Sequence, residues 1–172
     1  HYRVGDQVTV TTRTVVGDGK TIPISYRKLP AEVSVGDVLL LKDGEIELKV
    51  TKAGRTDITT KVIKGGALVS HQGLNVPTAN LSIPAVTPKD RRDLAWGLKH
   101  GVDGVAISFV KSADDLRRVR RAIAKQLPPK RRPWVVAKIE KHEAVADLDS
   151  IVRASDCVMV ARGDLGVEVD PA

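Results

Sequence analysis

VVAKIEKHEAVADLDSIVRASDCVMVARGD, residues 135–164, contains two apolar runs separated by an amphipathic segment. VVAKIE and CVMVARGD each have the composition of a buried strand, and each ends in charged residues. Between them, Val145, Leu148 and Ile151, with Val152, fall on one face of a predicted helix. A strand, a helix and a second strand in this order predict parallel strands and an α/β fold.

The same alternation begins further upstream, at about residue 85. Thr87, Pro88 and Asp90 have the pattern of a helix start, and we expect that helix to continue to about His100. The sequence then predicts a strand over 102–110, a helix over 113–126, a strand over 133–140, a helix over 143–155 and a strand over 157–164. Three such units are too few to close an eight-stranded barrel, and both chain ends are expected to be cuts within something larger.

In the first part of the chain the sequence pattern alternates over shorter intervals, as is typical of strands. Residues 1–68 predict strands near 7–15, 22–26, 38–41, 45–53 and 57–63, separated by Gly, Asp and Pro, with no helix. We therefore expect a small all-β barrel or sandwich over 1–68 and an α/β domain over 69–172.

Charge and cysteine content limit the possible partners. The net charge of +7 favours anionic partners, but much of the basic excess lies at 115–132, opposite Leu116, Val119 and Ile123, as on a solvated helix face. Aromatic residues make up 3% of the chain, which disfavours stacking on single-stranded nucleic acid. The single Cys157 excludes an internal disulfide, favours a reducing compartment and is expected to be buried. The solvated basic face and the low aromatic content lead us to expect no nucleic-acid partner. With no apparent signal peptide or membrane-spanning run, we expect no membrane partner.

Charged residues follow the predicted strands at the ends where parallel α/β folds bind ligands. Lys138 and Glu140 share one face of their strand, and Glu140 and Asp164 are expected side by side on neighbouring strands. Two carboxylates suit Mg²⁺ or Mn²⁺, and Lys138 beside such an ion would stabilise developing negative charge. Gly163 would let a backbone N–H approach an anion. The alternative is that Lys–Glu and Arg–Asp ion pairs only hold the sheet together.

The order K-I-E, E-A-V, A-S-D and M-V-A-R-G-D-L-G-V-E over the last forty or so residues strongly resembles the catalytic core of the pyruvate kinase family. SHQGLNVPTANLSIPAVTPKDRRDL and GVDGVAISFVKSADDL also resemble that family. The resemblance implies a (β/α)₈ barrel interrupted by a small all-β lid domain. Residues 1–68 would be the lid, and residues 69–172 would be the barrel from its third helix to its sixth strand.

The resemblance also implies an activity: transfer of the phosphoryl group of phosphoenolpyruvate to ADP, giving pyruvate and ATP, in glycolysis. Glu140 and Asp164 would then be the Mg²⁺ or Mn²⁺ ligands, and Lys138 would be the catalytic residue. The N–H groups of Gly163 and Asp164 would hold the substrate carboxylate. The family's K⁺ site would lie outside this chain, the parent would be a cytoplasmic homotetramer, and the isolated chain would be inactive.

Two departures from the family pattern concern the nucleotide side of the site. Lys42-Asp43-Gly44 stands where the family often has D-D-G, and Ser70-His71-Gln72-Gly73 stands where it often has S-H-K-G. Asp43 and Gln72 are the candidate nucleotide-side residues. The alternatives left open are a Mg²⁺-dependent aldolase or lyase that forms a pyruvate enolate, and a non-catalytic relative, including a basic module that binds nucleic acid.

Overall fold

The computed structural model of the chain describes residues 1–169. The chain divides into two compact units, His1–Ser82 and a second that begins at Ile83, and each has its own hydrophobic core. The first unit extends past the expected boundary at residue 68, because Leu74 pairs with Leu41 and Val76 is buried in the first core. Residues 170–172, which belong to the expected second domain, lie outside the described residues.

The first unit is built on a six-stranded sheet. Its strands are β1 (Gln7–Thr11), β2 (Thr21–Pro23), β3 (Val38–Leu41), β4 (Ile46–Ala53), β5 (Asp57–Lys64) and β6 (Leu74–Asn75). Their order is β2-β1-β5-β4-β3-β6, and every pair is antiparallel except β1 with β2. Alternate side chains along β4, such as Leu48 and Val50, are buried in the core. This two-residue alternation is typical of a sheet that packs against the core on one face.

A short helix, α1 (Leu29–Glu32), corrects the prediction that this unit has no helix. Pro30 stands in the first turn, where its missing N–H costs no hydrogen bond, and Leu29 is fully buried. Four residues are too few to show a helical period, so the sequence pattern could not reveal this helix.

The second unit is a mixed α/β fold. Its elements are α2 (Pro88–Lys99), β7 (Gly104–Ile107), α3 (Ala113–Ala124), a 3₁₀ turn (Pro129–Arg131), β8 (Trp134–Ile139), α4 (His142–Ala146), α5 (Leu148–Ala154), β9 (Cys157–Val160) and α6 (Arg162–Glu168). The three strands are parallel in the order β7-β8-β9, as predicted. None of the helices in residues 1–169 is both long enough and apolar enough to cross a membrane.

Two helices of this unit confirm their sequence patterns. The Thr87 hydroxyl accepts a hydrogen bond from the Asp90 N–H at 3.2 Å, and the Asp90 carboxylate accepts one from the Thr87 N–H at 2.8 Å, which closes the capping box of α2. In α3 the residues Leu116, Val119 and Ile123 are buried, and the arginines lie on the more exposed side.

The helix expected over 143–155 is instead interrupted at Asp147. The Asp147 carboxylate accepts the Ala113 N–H at 3.1 Å, and its backbone leaves the helical region between α4 and α5. As a result the expected apolar face is divided: Ile151 is fully buried, but Val145 and Leu148 are 45% and 40% exposed.

The last predicted strand is also shorter than expected. β9 ends at Val160, and Arg162 begins α6. All four residues of β9 are exposed, so Cys157 is an exposed thiol and not the buried one that its apolar neighbours predicted. Within the described part of the chain, β9 is an edge strand that pairs only with β8. An apolar sequence predicts a strand, but it does not show whether other elements cover that strand.

Candidate active site at the carboxyl ends of the parallel strands

Lys138 and Glu140 lie together where β8 ends. The Lys138 ammonium forms an ion pair with Oε1 of Glu140 and donates a hydrogen bond to the Ser108 hydroxyl at 3.0 Å. Ser108 directly follows β7, so the contact joins the ends of two neighbouring strands. These two contacts orient the ammonium, and the Lys138 side chain as a whole is 25% exposed. The expected shared face of Lys138 and Glu140 is therefore observed.

Glu140 is a fully buried carboxylate. Its Oε2 accepts a hydrogen bond from the Phe109 N–H at 2.7 Å. Its Oε1 faces the Lys138 ammonium but, among the described residues, accepts no hydrogen bond of good geometry. Burying a charge is costly unless it is paired, so Lys138 and the Phe109 amide together keep the carboxylate in place.

Phe109 is a site residue that the sequence did not reveal. Its φ of +53° lies in the left-handed region, which is uncommon for a bulky residue and costs on the order of 1–3 kcal/mol. This backbone turns an N–H toward the Glu140 carboxylate. No composition or spacing signal marks a phenylalanine for this conformation, which the surrounding structure imposes.

Gly163 and Asp164 lie in the first turn of α6, not at the end of a strand as predicted. Ala161 precedes the helix and donates its N–H to the Ile139 carbonyl at 3.2 Å, which places the start of α6 beside the end of β8. N–H groups in a first helical turn have no acceptor within the helix. A Cβ built on Gly163 would meet no atom of residues 1–169 within 4 Å, so packing among these residues does not explain the glycine.

Glu140 and Asp164 are the two carboxylates that the sequence predicted as ligands of a divalent cation. Residues 1–169 contain no group of three or more His, Cys, Asp or Glu side chains arranged to hold a metal. Mg²⁺ at phosphoryl-transfer sites is commonly bound by one or two carboxylates, with substrate oxygens and water completing its shell. Of the two, Glu140 directly follows β8 and Asp164 lies in the first turn of α6.

A second group of charges surrounds the first. Lys141 donates to the Glu168 carboxylate at 2.6 Å, and Lys111 lies 4.0 Å from Glu143. Nδ1 of His142 is 3.3 Å from the Glu143 carboxylate. The sequence analysis did not identify these residues. The K-H-E triplet after K-I-E was the sequence signal that could have indicated them. Glu168, the partner of Lys141, lies 27 residues further along the chain.

The two candidate nucleotide-side residues lie in adjoining segments of the first unit. Asp43 is exposed in the β3–β4 turn, where Lys42, Asp43 and Gly44 all have positive φ. Gln72 is exposed just before β6, and the Lys42 N–H donates to the Gly73 carbonyl at 3.3 Å. The structure thus brings together two segments that are separate in the sequence.

A cavity of about 690 Å³ lies at the opposite end of the parallel strands. Its lining includes the first residues of β7 and β8, Gly104 and Trp134, together with the basic Lys130 and Arg131. We place the candidate site at the other end, because parallel α/β folds bind ligands at the carboxyl ends of their strands.

Comparison with known proteins identifies the family of this chain. The family model "Pyruvate kinase, barrel domain" matches residues 1–172. Pyruvate kinase of Thermococcus litoralis is 43% identical over 97% of this chain and 34% of its own length, and that of Thermotoga maritima is 39% identical over 96% and 35%. A crystal structure of a pyruvate kinase from Cryptosporidium parvum superimposes with a TM-score of 0.87 at 32% identity, covering 98% of this chain and 35% of that one.

The chain spans about a third of the length of these curated relatives. The matched region includes both compact units. The chain therefore belongs to the pyruvate kinase family and corresponds to the family's barrel domain.

Proposed function

We propose that the protein carrying this chain transfers the phosphoryl group of phosphoenolpyruvate to ADP, giving pyruvate and ATP. The observation that carries the proposal is the Lys138–Glu140 pair at the end of β8, held by Ser108 and Phe109, in a chain of the pyruvate kinase family. Phosphoryl transfer needs positioning and charge neutralisation more than covalent chemistry from the protein, and these groups provide both.

Lys138 is the proposed catalytic residue. Its ammonium is oriented by the Ser108 hydroxyl at 3.0 Å and by the Glu140 carboxylate, so it needs little reorganisation when charge develops. It would contact the transferring phosphoryl group and stabilise the enolate oxygen that remains.

Glu140 and Asp164 are the proposed ligands of Mg²⁺ or Mn²⁺. Such an ion, when bound, would neutralise charge on the phosphoryl oxygens. Oε2 of Glu140 accepts a hydrogen bond from the Phe109 N–H, and Oε1 is directed toward Lys138. Asp164 would approach from the first turn of α6.

The substrate carboxylate is proposed to accept hydrogen bonds from the N–H groups of Gly163 and Asp164. These groups have no acceptor within α6, and the absence of a side chain on Gly163 leaves room for close approach. The β-rich unit would be the lid of the barrel, with Asp43 and Gln72 toward the nucleotide.

Family membership supports the remaining assignments. We propose a glycolytic enzyme of the cytoplasm that uses K⁺ at a site outside this chain and assembles as a homotetramer. The single cysteine, Cys157, is in keeping with a reducing compartment. We expect no turnover from the 172-residue chain alone, because its relatives are about three times as long.

The direct test is phosphoenolpyruvate-dependent ATP formation from ADP and Mg²⁺ by the full-length protein. Lys138→Met should lower kcat at least about a hundredfold to a thousandfold, the cost of losing one aligned charge-stabilising group. Lys125→Met, which removes an exposed lysine at the end of α3, should leave kcat unchanged. Equal rates for the two variants would exclude the proposed role of Lys138. Exchange of pyruvate protons without ATP formation would instead favour an aldolase or lyase.

A further inference from the structure

The two proposed metal ligands come from different elements. Glu140 follows β8, whereas Asp164 belongs to α6. A seven-residue helix is not stable in water by itself, so its position depends on its attachments to the rest of the unit. One attachment precedes the helix, where the Ala161 N–H donates to the Ile139 carbonyl, and another is Leu165, which packs on the second core.

Another attachment is an ion pair at the far end of the helix. Glu168, the last residue of α6, has a side chain only 1% exposed, and its Oε1 accepts a hydrogen bond from the Lys141 ammonium at 2.6 Å. Lys141 is itself 15% exposed and directly follows Glu140. His142 is also near Glu168, but its Nδ1 lies 3.9 Å away, beyond hydrogen-bonding distance.

We propose that Lys141 and Glu168 are positioning residues, and that their ion pair holds α6 against the end of β8 so that Asp164 and Glu140 meet on one divalent cation. This inference rests on the proposed function. A buried carboxylate is destabilised when its cation is removed, so α6 would move or loosen without Lys141. Asp164 would then lose its place while Glu140, held by Phe109, would keep its own.

The test measures Mn²⁺ affinity of the full-length protein without substrates, by electron paramagnetic resonance of the free ion. Lys141→Met should weaken Mn²⁺ binding about tenfold, and Lys141→Arg should restore most of it. Should Lys141→Met fail to fold, Glu168→Gln provides the same comparison with unchanged volume and should weaken binding severalfold. Unchanged Mn²⁺ affinity in whichever of these two variants folds would overturn the inference.

A matched control separates positioning from a merely structural role. Arg120 is ion-paired with Asp156 at 2.9 Å near the amino end of β8, away from the proposed metal. Arg120→Met should lower the thermal unfolding midpoint, as we also expect of Lys141→Met, but it should not change Mn²⁺ affinity. If both variants lower the midpoint and weaken Mn²⁺ binding equally, the ion pair of Lys141 has no special role.

A further variant distinguishes failure of this inference from failure of the proposed function. Glu140→Gln should weaken Mn²⁺ binding by at least as much as Lys141→Met. If Glu140→Gln binds Mn²⁺ normally, the metal site itself is wrong, and the inference falls with it. If Glu140→Gln weakens binding while Lys141→Met does not, only the positioning role is lost.

Discussion

At the scale of single residues, the unusual feature is a fully buried glutamate at the end of an apolar strand. Removing Glu140 from water costs several kcal/mol, on the order of the penalty for any buried ion. The Lys138 ammonium and the Phe109 N–H offset this cost. Lys138 and Glu140 thus form the ion pair that the sequence analysis considered as a purely structural alternative. The proposed chemistry involves the same two residues.

A double-mutant cycle measures this coupling. Lys138→Met should destabilise the protein by about 3 kcal/mol because it leaves the Glu140 carboxylate buried without a cation. Glu140→Gln should destabilise it less, since the amide oxygen still accepts the Phe109 N–H. The double variant should lose less than the sum, by about 1–3 kcal/mol, in urea unfolding. Strictly additive losses would show that the two side chains do not interact.

At the scale of elements, short turns determine the position of the residues on the proposed nucleotide side. The β3–β4 turn has three consecutive left-handed residues, with φ of 52° at Lys42, 55° at Asp43 and 84° at Gly44. This turn exposes Asp43 and carries the Lys42 N–H that bonds to Gly73. Left-handed backbone is costly for residues with a Cβ, and glycine avoids that cost.

Gly44→Ala tests the turn. A Cβ at Gly44 would meet no described atom within 4 Å, so the expected loss of about 1 kcal/mol is purely conformational. Gly19→Ala is the control, because its Cβ also meets no described atom and its φ is not in the left-handed region. It should be neutral or stabilising by up to about 1 kcal/mol. Equal unfolding midpoints for the two variants would contradict the expected strain.

At the scale of the whole molecule, carboxylates hydrogen-bonded in the native state couple stability to pH. The Arg120 side chain, and then the Val135 N–H, hold the pKa of Asp156 below its usual value. The Ala113 N–H does the same for the pKa of Asp147, and the Thr11 hydroxyl for the pKa of Asp57. Both compact units therefore contain carboxylates of this kind.

We expect stability to fall as the pH drops below about 4. A carboxyl group whose folded-state pKa is depressed contributes its full stability above the unfolded value, near 3.9, and loses it as pH falls through the folded value. Protonation also increases the net positive charge, already +7 at pH 7. The measurement is the thermal midpoint between pH 6 and pH 2.

Asp156→Asn is the control for this prediction. It removes one titrating group whose side chain is 38% exposed, so the pH-dependent loss should shrink by about 1 kcal/mol or less. At pH 6 the variant should be slightly less stable than the parent, and near pH 2 the two should converge. A constant difference at every pH would show that Asp156 does not contribute through its charge.

Local patterns in the amino-acid order were sufficient for the parallel α/β arrangement, the capping box of α2, the buried face of α3 and the placement of Lys138 and Glu140 together. Each depends on neighbours within a few residues, where helix and strand periods act directly. The extension of the first unit to Ser82, the break at Asp147 and the exposure of Cys157 required the fold, because each depends on which distant segment covers or binds the residue. The left-handed Phe109 and the Lys141–Glu168 pair also came only from tertiary packing, since a buried charge is stabilised by whatever group the fold brings to it, however far away in the chain.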